Sequence, residues 1–174
     1  TDFIFMAEGT SYMFVTGPEV VKTVTHEEVS SEELGGAKTH ASRSGVTHFT
    51  AANEARVIQH IKDVLSFLPQ NCEEDPEALD YTPGDEQRLA LDAVVPESAQ
   101  QPYDIREVVN QVCDAGTFTE VQKDYAENIV CGFARLAGMS IGVVANQPAF
   151  LAGVLDNKAS TKAARFVRTC DAFN

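Results

Sequence analysis

Two short stretches of this sequence hold side chains whose types and spacing suit chemistry. The first is Val143-Val144-Ala145-Asn146-Gln147-Pro148, followed by Gly153-Val154-Leu155-Asp156. An apolar run ending in two amides, a proline and then a glycine reads as a strand passing through a turn toward a helix. In open α/β sheets, ligands sit in the crevice beyond the carboxyl ends of strands. Asn146 and Gln147 carry the donors and acceptors to bond a ligand carbonyl, or to close their own turn, and the turn is the simpler use. The second stretch is Lys158, Lys162 and Arg165, spaced by four and three, with Arg168 behind. That spacing predicts cations along one helix face. A solvated face is the plain reading, and attraction of an anionic ligand or an acidic partner surface is the functional one.

Other reactive residue types are scattered. His26, His40, His48 and His60 form no HExxH, and none pairs with cysteine at zinc spacing, so no metal site is expected. Cys72, Cys113, Cys131 and Cys170 include no CxxC pair and read as free thiols of a reducing compartment. No GxSxG elbow supports a nucleophilic serine, although sequence alone leaves a dispersed triad open. Gly35-Gly36 lacks the spacing of a phosphate-binding loop and reads as a helix terminator. Glu27-Glu28 and Glu32-Glu33 read as acids favoured at helix starts by the macrodipole.

Elements must hold these residues in place. Thr1–Met6 and Tyr12–Thr16 read as strands, and Gly17-Pro18 opens a helix whose apolar face is Val20, Val21 and Val24. Thr25 with Glu28, and Ser30 with Glu33, fit capping boxes. Val46–Ala51 reads as a short strand. Asn53 caps a helix with Val57, Ile58, Ile61, Leu65 and Leu68 on its apolar face, stopped by Pro69. A helix from near Asp104 to Gly116 presents Ile105, Val108, Val109 and Val112. Strands follow at Phe118–Val121, Ile129–Ala134 and Ile141–Ala145, the last two joined through Gly138. A final helix capped by Ser160 turns Ala163, Phe166, Val167, Cys170 and Phe173 inward. Strands alternating with helices define an α/β class.

The 174 residues suffice for about one domain. The net charge of −13 excludes a reader of phosphate backbones, and no apolar run approaches a membrane span. Acidity concentrates in residues 73–97, which carry 9 acidic groups and 1 basic group along with Pro76, Pro83 and Pro96. Such a stretch repels itself and reads as an exposed linker with few long-range contacts. It divides the chain into 1–72 and 98–174, each small for an independent domain. The chain shows no secretion leader, and its start inside an apolar run reads as that of a fragment.

Four longer runs carry a resemblance. They are TDFIFMAEGTSYMFVTGPEVVKTVTHEEVSSEELGGAKTHASRSG at 1–45, QPYDIREVVNQVCD at 101–114, YAENIVCGFARLAGMSIGVVANQP at 125–148 and GVLDNKASTKAARFVRTCDAFN at 153–174. Together they resemble the carboxyltransferase (β) subunits of biotin-dependent acyl-CoA carboxylases, of the propionyl-CoA carboxylase type. The likeness covers nearly the whole chain and is weakest at 70–95. Val154 and Asp156-Asn157-Lys158 depart from the family's pattern.

The resemblance implies a crotonase-like (ClpP/crotonase) carboxyltransferase fold. Residues 1–72 would then be the C-terminal part of the N-terminal domain, 73–97 the acidic linker, and 98–174 the N-terminal part of the C-terminal domain. It implies transfer of CO2 from carboxybiotin to the α carbon of a short acyl-CoA such as propionyl-CoA. Biotin would ride on a partner biotin carboxylase/biotin carrier subunit, with none attached to this chain. Identical subunits would assemble, as hexamers, in the cytoplasm (the mitochondrial matrix in a eukaryote), with no nucleic-acid or membrane partner. The family's two glycine-rich oxyanion turns would fall before Thr1 and beyond Asn174, so no catalytic residue is assigned here. Residues from about Asp114 to Asn146 resemble the acyl-CoA-binding region, which places Asn146, Gln147 and Gly153 at the acyl-CoA/biotin cleft. The alternatives are a noncatalytic CoA-binding or assembly module of the same fold, and a biotin-dependent decarboxylase or transcarboxylase subunit.

Overall fold

A computed structural model describes residues 1–82, 91–98 and 101–174, so 83–90 of the acidic stretch lie outside the described residues. The chain folds as two compact units, Thr1–Lys62 and Asp63–Asn174. In the first, strand β1 (Phe5–Ala7) pairs in parallel with β2 (Phe49–Ala51), Phe5 opposite Phe49 and Ala7 opposite Ala51. Met6, Ala7, Ala37, Ala41, Phe49 and Ala51 are buried there. The Phe5 and Phe49 rings stack at 4.9 Å.

Helices α1 (Pro18–Thr25), α2 (Ser31–Gly35) and α3 (Ala37–Thr39) follow β1. A π-type turn at His40–Ser44 leads on to β2. Gly17 caps α1, and Ser30 and Glu33 form a reciprocal capping box on α2. Thr25 is no cap: it ends α1 and donates its hydroxyl to the Val21 carbonyl. Only Tyr12 of the expected second strand makes a bridge, to Gly36. Val20 and Val24 are exposed on α1, so the expected apolar face is not a core face within this unit. Helix α4 (Glu54–Leu65) begins where Asn53 accepts from the Arg56 N–H. Ile58 and Leu65 face solvent, and Val64 is buried in their place.

The second unit holds α5 (Leu91–Val94), α6 (Ile105–Val112), an antiparallel meander and α7 (Asn157–Ala172). The meander is β3 (Thr119–Val121), β4 (Ile129–Leu136) and β5 (Met139–Asn146), with β4 in the middle. β4 is buried on both faces from Ile129 to Arg135, which explains why its sequence is nearly continuous in apolar residues. One face meets α6, where Ala134 packs with Val109 and Cys113. The other meets α7, where the Phe133 and Phe166 rings lie 5.1 Å apart. Helix α7 is capped by Asp156 rather than Ser160, which moves its start four residues earlier than expected. Val167 is half exposed, and Ala159, Lys162 and Phe166 are the buried set.

The start of the acidic stretch is exposed, and a few long-range hydrogen bonds attach it. Arg135 is 5% exposed and donates to the carbonyls of Ser66, Glu77 and Gly138, while its guanidinium lies over the Phe67 ring. Leu79 N–H donates to the Gly138 carbonyl at 3.0 Å, and Asn174 donates to the carbonyls of Cys72 and Glu74. A guanidinium with five donors satisfies carbonyls that a solvated acidic run would otherwise leave to water.

The β4–β5 hairpin turns on Ala137 (φ 51°) and Gly138 (φ 79°), the paired positive dihedrals of a two-residue hairpin loop. The Asp114 carboxylate accepts both turn N–H groups, at 2.9 and 2.8 Å. A Cβ on Gly138 would fall on the Leu79 carbonyl, whereas one on Gly116 (φ 72°) would meet nothing. Gly116→Ala is therefore expected to cost only the left-handed penalty, about 1 kcal/mol. Gly138→Ala adds overpacking and is expected to cost about 2–4 kcal/mol in urea unfolding. Equal costs for the two would show that the Leu79 contact does not constrain the hairpin.

Candidate functional site

Strand β5 ends at Asn146, and the chain then turns through 147–154 before α7 begins. Asn146 donates its side-chain amide to the Gly153 carbonyl at 2.6 Å, closing the turn across its mouth. Gln147 is 2% exposed and points inward. Its amide nitrogen donates to Asp104 at 2.6 Å, and its amide oxygen accepts from the N–H groups of Ile105 and Ala149. Gln147 thus ties the turn to the start of α6, which leaves its head group no free polar atom to aim outward. Gly153 is buried at φ 70°, and a Cβ there would press on Asn146. The structure brings all three sequence-derived site residues together in one turn.

Leu151 and Ala152 also sit at positive φ, 48° and 51°, so three successive residues are left-handed. The left-handed region costs an L-residue about 1–2 kcal/mol, and such strain persists only where the surroundings over-determine it. Those surroundings are Asn146, Gln147 and Asn128. Asn128 is 1% exposed, accepts from the Gln147 N–H at 3.0 Å, and donates its side-chain amide to the Val154 carbonyl at 2.6 Å. Asp104 belongs to the same network, since Arg106 contacts it and pairs with Glu120 through two nitrogens at 2.7 and 2.8 Å. Burial opposes ionisation of Asp104, but donation from Gln147 and Arg106 outweighs it and holds the carboxyl below its usual range.

The basic stripe is corrected by the structure. Lys162 is 1% exposed, and its ammonium donates to the carbonyls of Gln122, Tyr125 and Ile129 at 2.9, 2.7 and 2.9 Å. Burial lowers its pKa, partly opposed by Cys131 and Glu120, and the Ala126 carbonyl lies at 3.5 Å as a fourth acceptor. Lys158 and Arg165 remain exposed. The signal was available in the spacing, because Lys162 falls three residues after Ala159 and four before Phe166, on the apolar side. Asn128 and Asp104 carried no comparable signal, since their partners lie 26 and 43 residues away.

Thiol and imidazole chemistry find no poised group among these residues. Burial pushes the Cys131 thiol up to about 11 and raises those of Cys113 and Cys170. All four cysteines are unpaired. His40 uses both ring nitrogens, on Ser44 and the Met13 carbonyl, and His48 accepts from the Ile4 N–H. Among the described residues, no group of three His, Cys, Asp or Glu side chains converges as a metal site. No helix among them is long and apolar enough to cross a membrane.

The second unit thus layers α6 and α7 on the two faces of an antiparallel sheet whose edge strand β5 leads into a clamped turn. The profile of the carboxyl transferase domain matches residues 1–174, and the chain belongs to that family. It is 54% identical to the propionyl-CoA carboxylase carboxyltransferase subunit of Haloferax mediterranei, covering 100% of this chain and 34% of that protein. It is 49% identical to the methylmalonyl-CoA decarboxylase subunit alpha of Veillonella parvula, covering 100% and 34%. Among solved structures, transcarboxylase 12S, described as a hexamer with methylmalonyl-coenzyme A and methylmalonic acid bound, superposes with a TM-score of 0.95. It is 44% identical, over 100% of this chain and 34% of its own. The fold is therefore the crotonase-like carboxyltransferase fold. The chain spans about a third of the length of the curated relatives it matches.

Two outcomes test this geometry. Lys162→Met strands three buried carbonyls and is expected to cost at least ~3 kcal/mol of unfolding free energy. Arg165→Gln, on the exposed side of the same helix, is expected to stay within about 0.5 kcal/mol. Similar losses for both would return Lys162 to the surface stripe. The Asp104 carboxyl binds its proton more weakly folded than unfolded. Its contribution is complete above the usual carboxyl range and is lost as pH falls from about 4 through the depressed value. Asp104→Asn should accordingly flatten part of the acid limb of a stability–pH profile, and an unchanged limb would exclude this coupling.

Proposed function

We propose that this chain is part of the carboxyltransferase component of an acyl-CoA carboxylase, which moves CO2 from carboxybiotin to the α carbon of a short acyl-CoA such as propionyl-CoA. The observation that carries the reading is the match of the carboxyl transferase domain to every residue of the chain. The clamped turn at 146–154 supports it. In this reading Asn146, Gln147 and Gly153 border the acyl-CoA/biotin cleft. Gln147 shapes the turn from inside, and Gly153 keeps its backbone close to Asn146 where a Cβ would crowd it.

Carboxybiotin, borne by a biotin carboxylase/biotin carrier partner, supplies an activated carboxyl group when it is delivered to the cleft. This chain's part is to hold the turn in a strained, prepaid geometry, so that none of that ordering is left to the reaction. Residues 1–72 close the N-terminal carboxyltransferase domain, 73–97 connect, and 98–174 open the C-terminal domain. Arg135 and Asn174, which hold residues 66–77, fasten the start of that connector to the second domain. The subunit assembles with identical copies as a hexamer and works in the cytoplasm, or in the mitochondrial matrix of a eukaryote. The identity to a methylmalonyl-CoA decarboxylase subunit favours one second reading, the reverse use of the same cleft in decarboxylation.

The test is the full-length subunit with its biotin-bearing partner, assayed with acetyl-, propionyl- and butyryl-CoA in both directions. Carboxylation fastest with propionyl-CoA is expected, and turnover only from a carboxylated acyl-CoA would establish the decarboxylase reading. Gly153→Ala is expected to lower kcat/KM for acyl-CoA by about tenfold or more, because small displacements of a positioned turn are costly. Unchanged kinetics would remove the turn from the cleft.

A further inference from the structure

We propose that Asn128 is the positioning residue that sets the 147–154 turn for carboxyl transfer. The inference rests on the placement of that turn at the acyl-CoA/biotin cleft. Asn128 holds both stems of the turn, alongside the Asn146 amide that bonds the Gly153 carbonyl. The Asn128 backbone carbonyl accepts from Gln147 N–H at the entry, and its side-chain amide donates to the Val154 carbonyl at the exit. Between those two bonds lie the three left-handed residues, Leu151, Ala152 and Gly153. A turn of that conformation opens unless its ends are fixed, because two of the three are not glycine.

Asn128 is itself held from below. It ends the loop between β3 and β4; the carbonyls of Gln122 and Tyr125 in that loop, and of Ile129 at the start of β4, surround the Lys162 ammonium. That loop turns through Gln122 and Ala126 at φ 52° and 47°. The order of support therefore runs from α7 through Lys162 to the loop, then through Asn128 to the turn. Asn128 acts on the turn through its bonds to Gln147 and Val154.

The experiment compares Asn128→Ala with Gly153→Ala in the full-length subunit and its biotin-bearing partner. Amide hydrogen exchange at 151–154, melting temperature, and kcat and KM for acyl-CoA are measured together. Asn128→Asp keeps the side-chain shape while removing the donor, and it serves where the alanine variant does not fold. Faster exchange in the turn, with kcat/KM lowered about tenfold or more in both variants, is the expected result. Unchanged exchange in the turn overturns the clamp. Faster exchange with normal kinetics, while Gly153→Ala is impaired, overturns the positioning role and leaves the cleft placement standing. Normal kinetics in both variants overturns the cleft placement and this inference with it.

Discussion

An ammonium shut away from water must be surrounded by oxygen, and the second unit is arranged around meeting that demand at Lys162. Backbone carbonyls of the β3–β4 loop, together with that of Ile129 at the start of β4, replace its hydration shell. Leaving such a charge unpaired in the interior would cost several kcal/mol, so the loop cannot relax without exposing or stranding it. The loop's own positive-φ positions are held open by the same cation. Helix α7, the β3–β4 connection and the strand-end turn are therefore one mechanical assembly, with a cation at its centre where an apolar side chain would have served packing alone.

Hydrophobic period and cap chemistry carried much of this architecture into the sequence. The Ser30–Glu33 box, Pro18 after Gly17, Asn53 before α4 and the three strands of the meander all follow from local rules. Local rules failed where a partner is remote. Val20 and Val24 have helical spacing yet no neighbour to bury them within their unit. Lys162 has a surface residue's chemistry and a core residue's position. Arg135 looks like the polar end of a strand, but its partners are carbonyls 58 and 69 residues earlier in the chain. The site was legible as a cluster of turn-forming residues, because Asn146, Gln147 and Gly153 are close in sequence. Its supports were not, because Asp104 and Asn128 come from other elements.

The amide side chains divide their labour in a way that composition does not foretell. Gln147 has the head group suited to grasping a ligand, yet its oxygen and nitrogen are both engaged with α6 and its own turn. Asn146 closes the mouth of the turn. The main chain of the turn is likewise largely engaged: the N–H groups of Phe150, Gly153 and Val154 donate to carbonyls within it, and the Gly153 and Val154 carbonyls accept from Asn146 and Asn128.

The hairpin at Ala137-Gly138 has a consequence in time. Its eight paired positions close outward from a two-residue loop, so β4 and β5 meet through contacts of very low sequence separation. Hairpins of this kind form in roughly microseconds, long before distant segments find each other. Arg135 is carried on that hairpin, but Ser66 and Glu77 reach it only after a much longer loop closes. During synthesis those two segments leave the ribosome first and wait. The guanidinium that will hold them is made later, in an element able to assemble almost as soon as it emerges, and attachment of the connector is then a late event in folding.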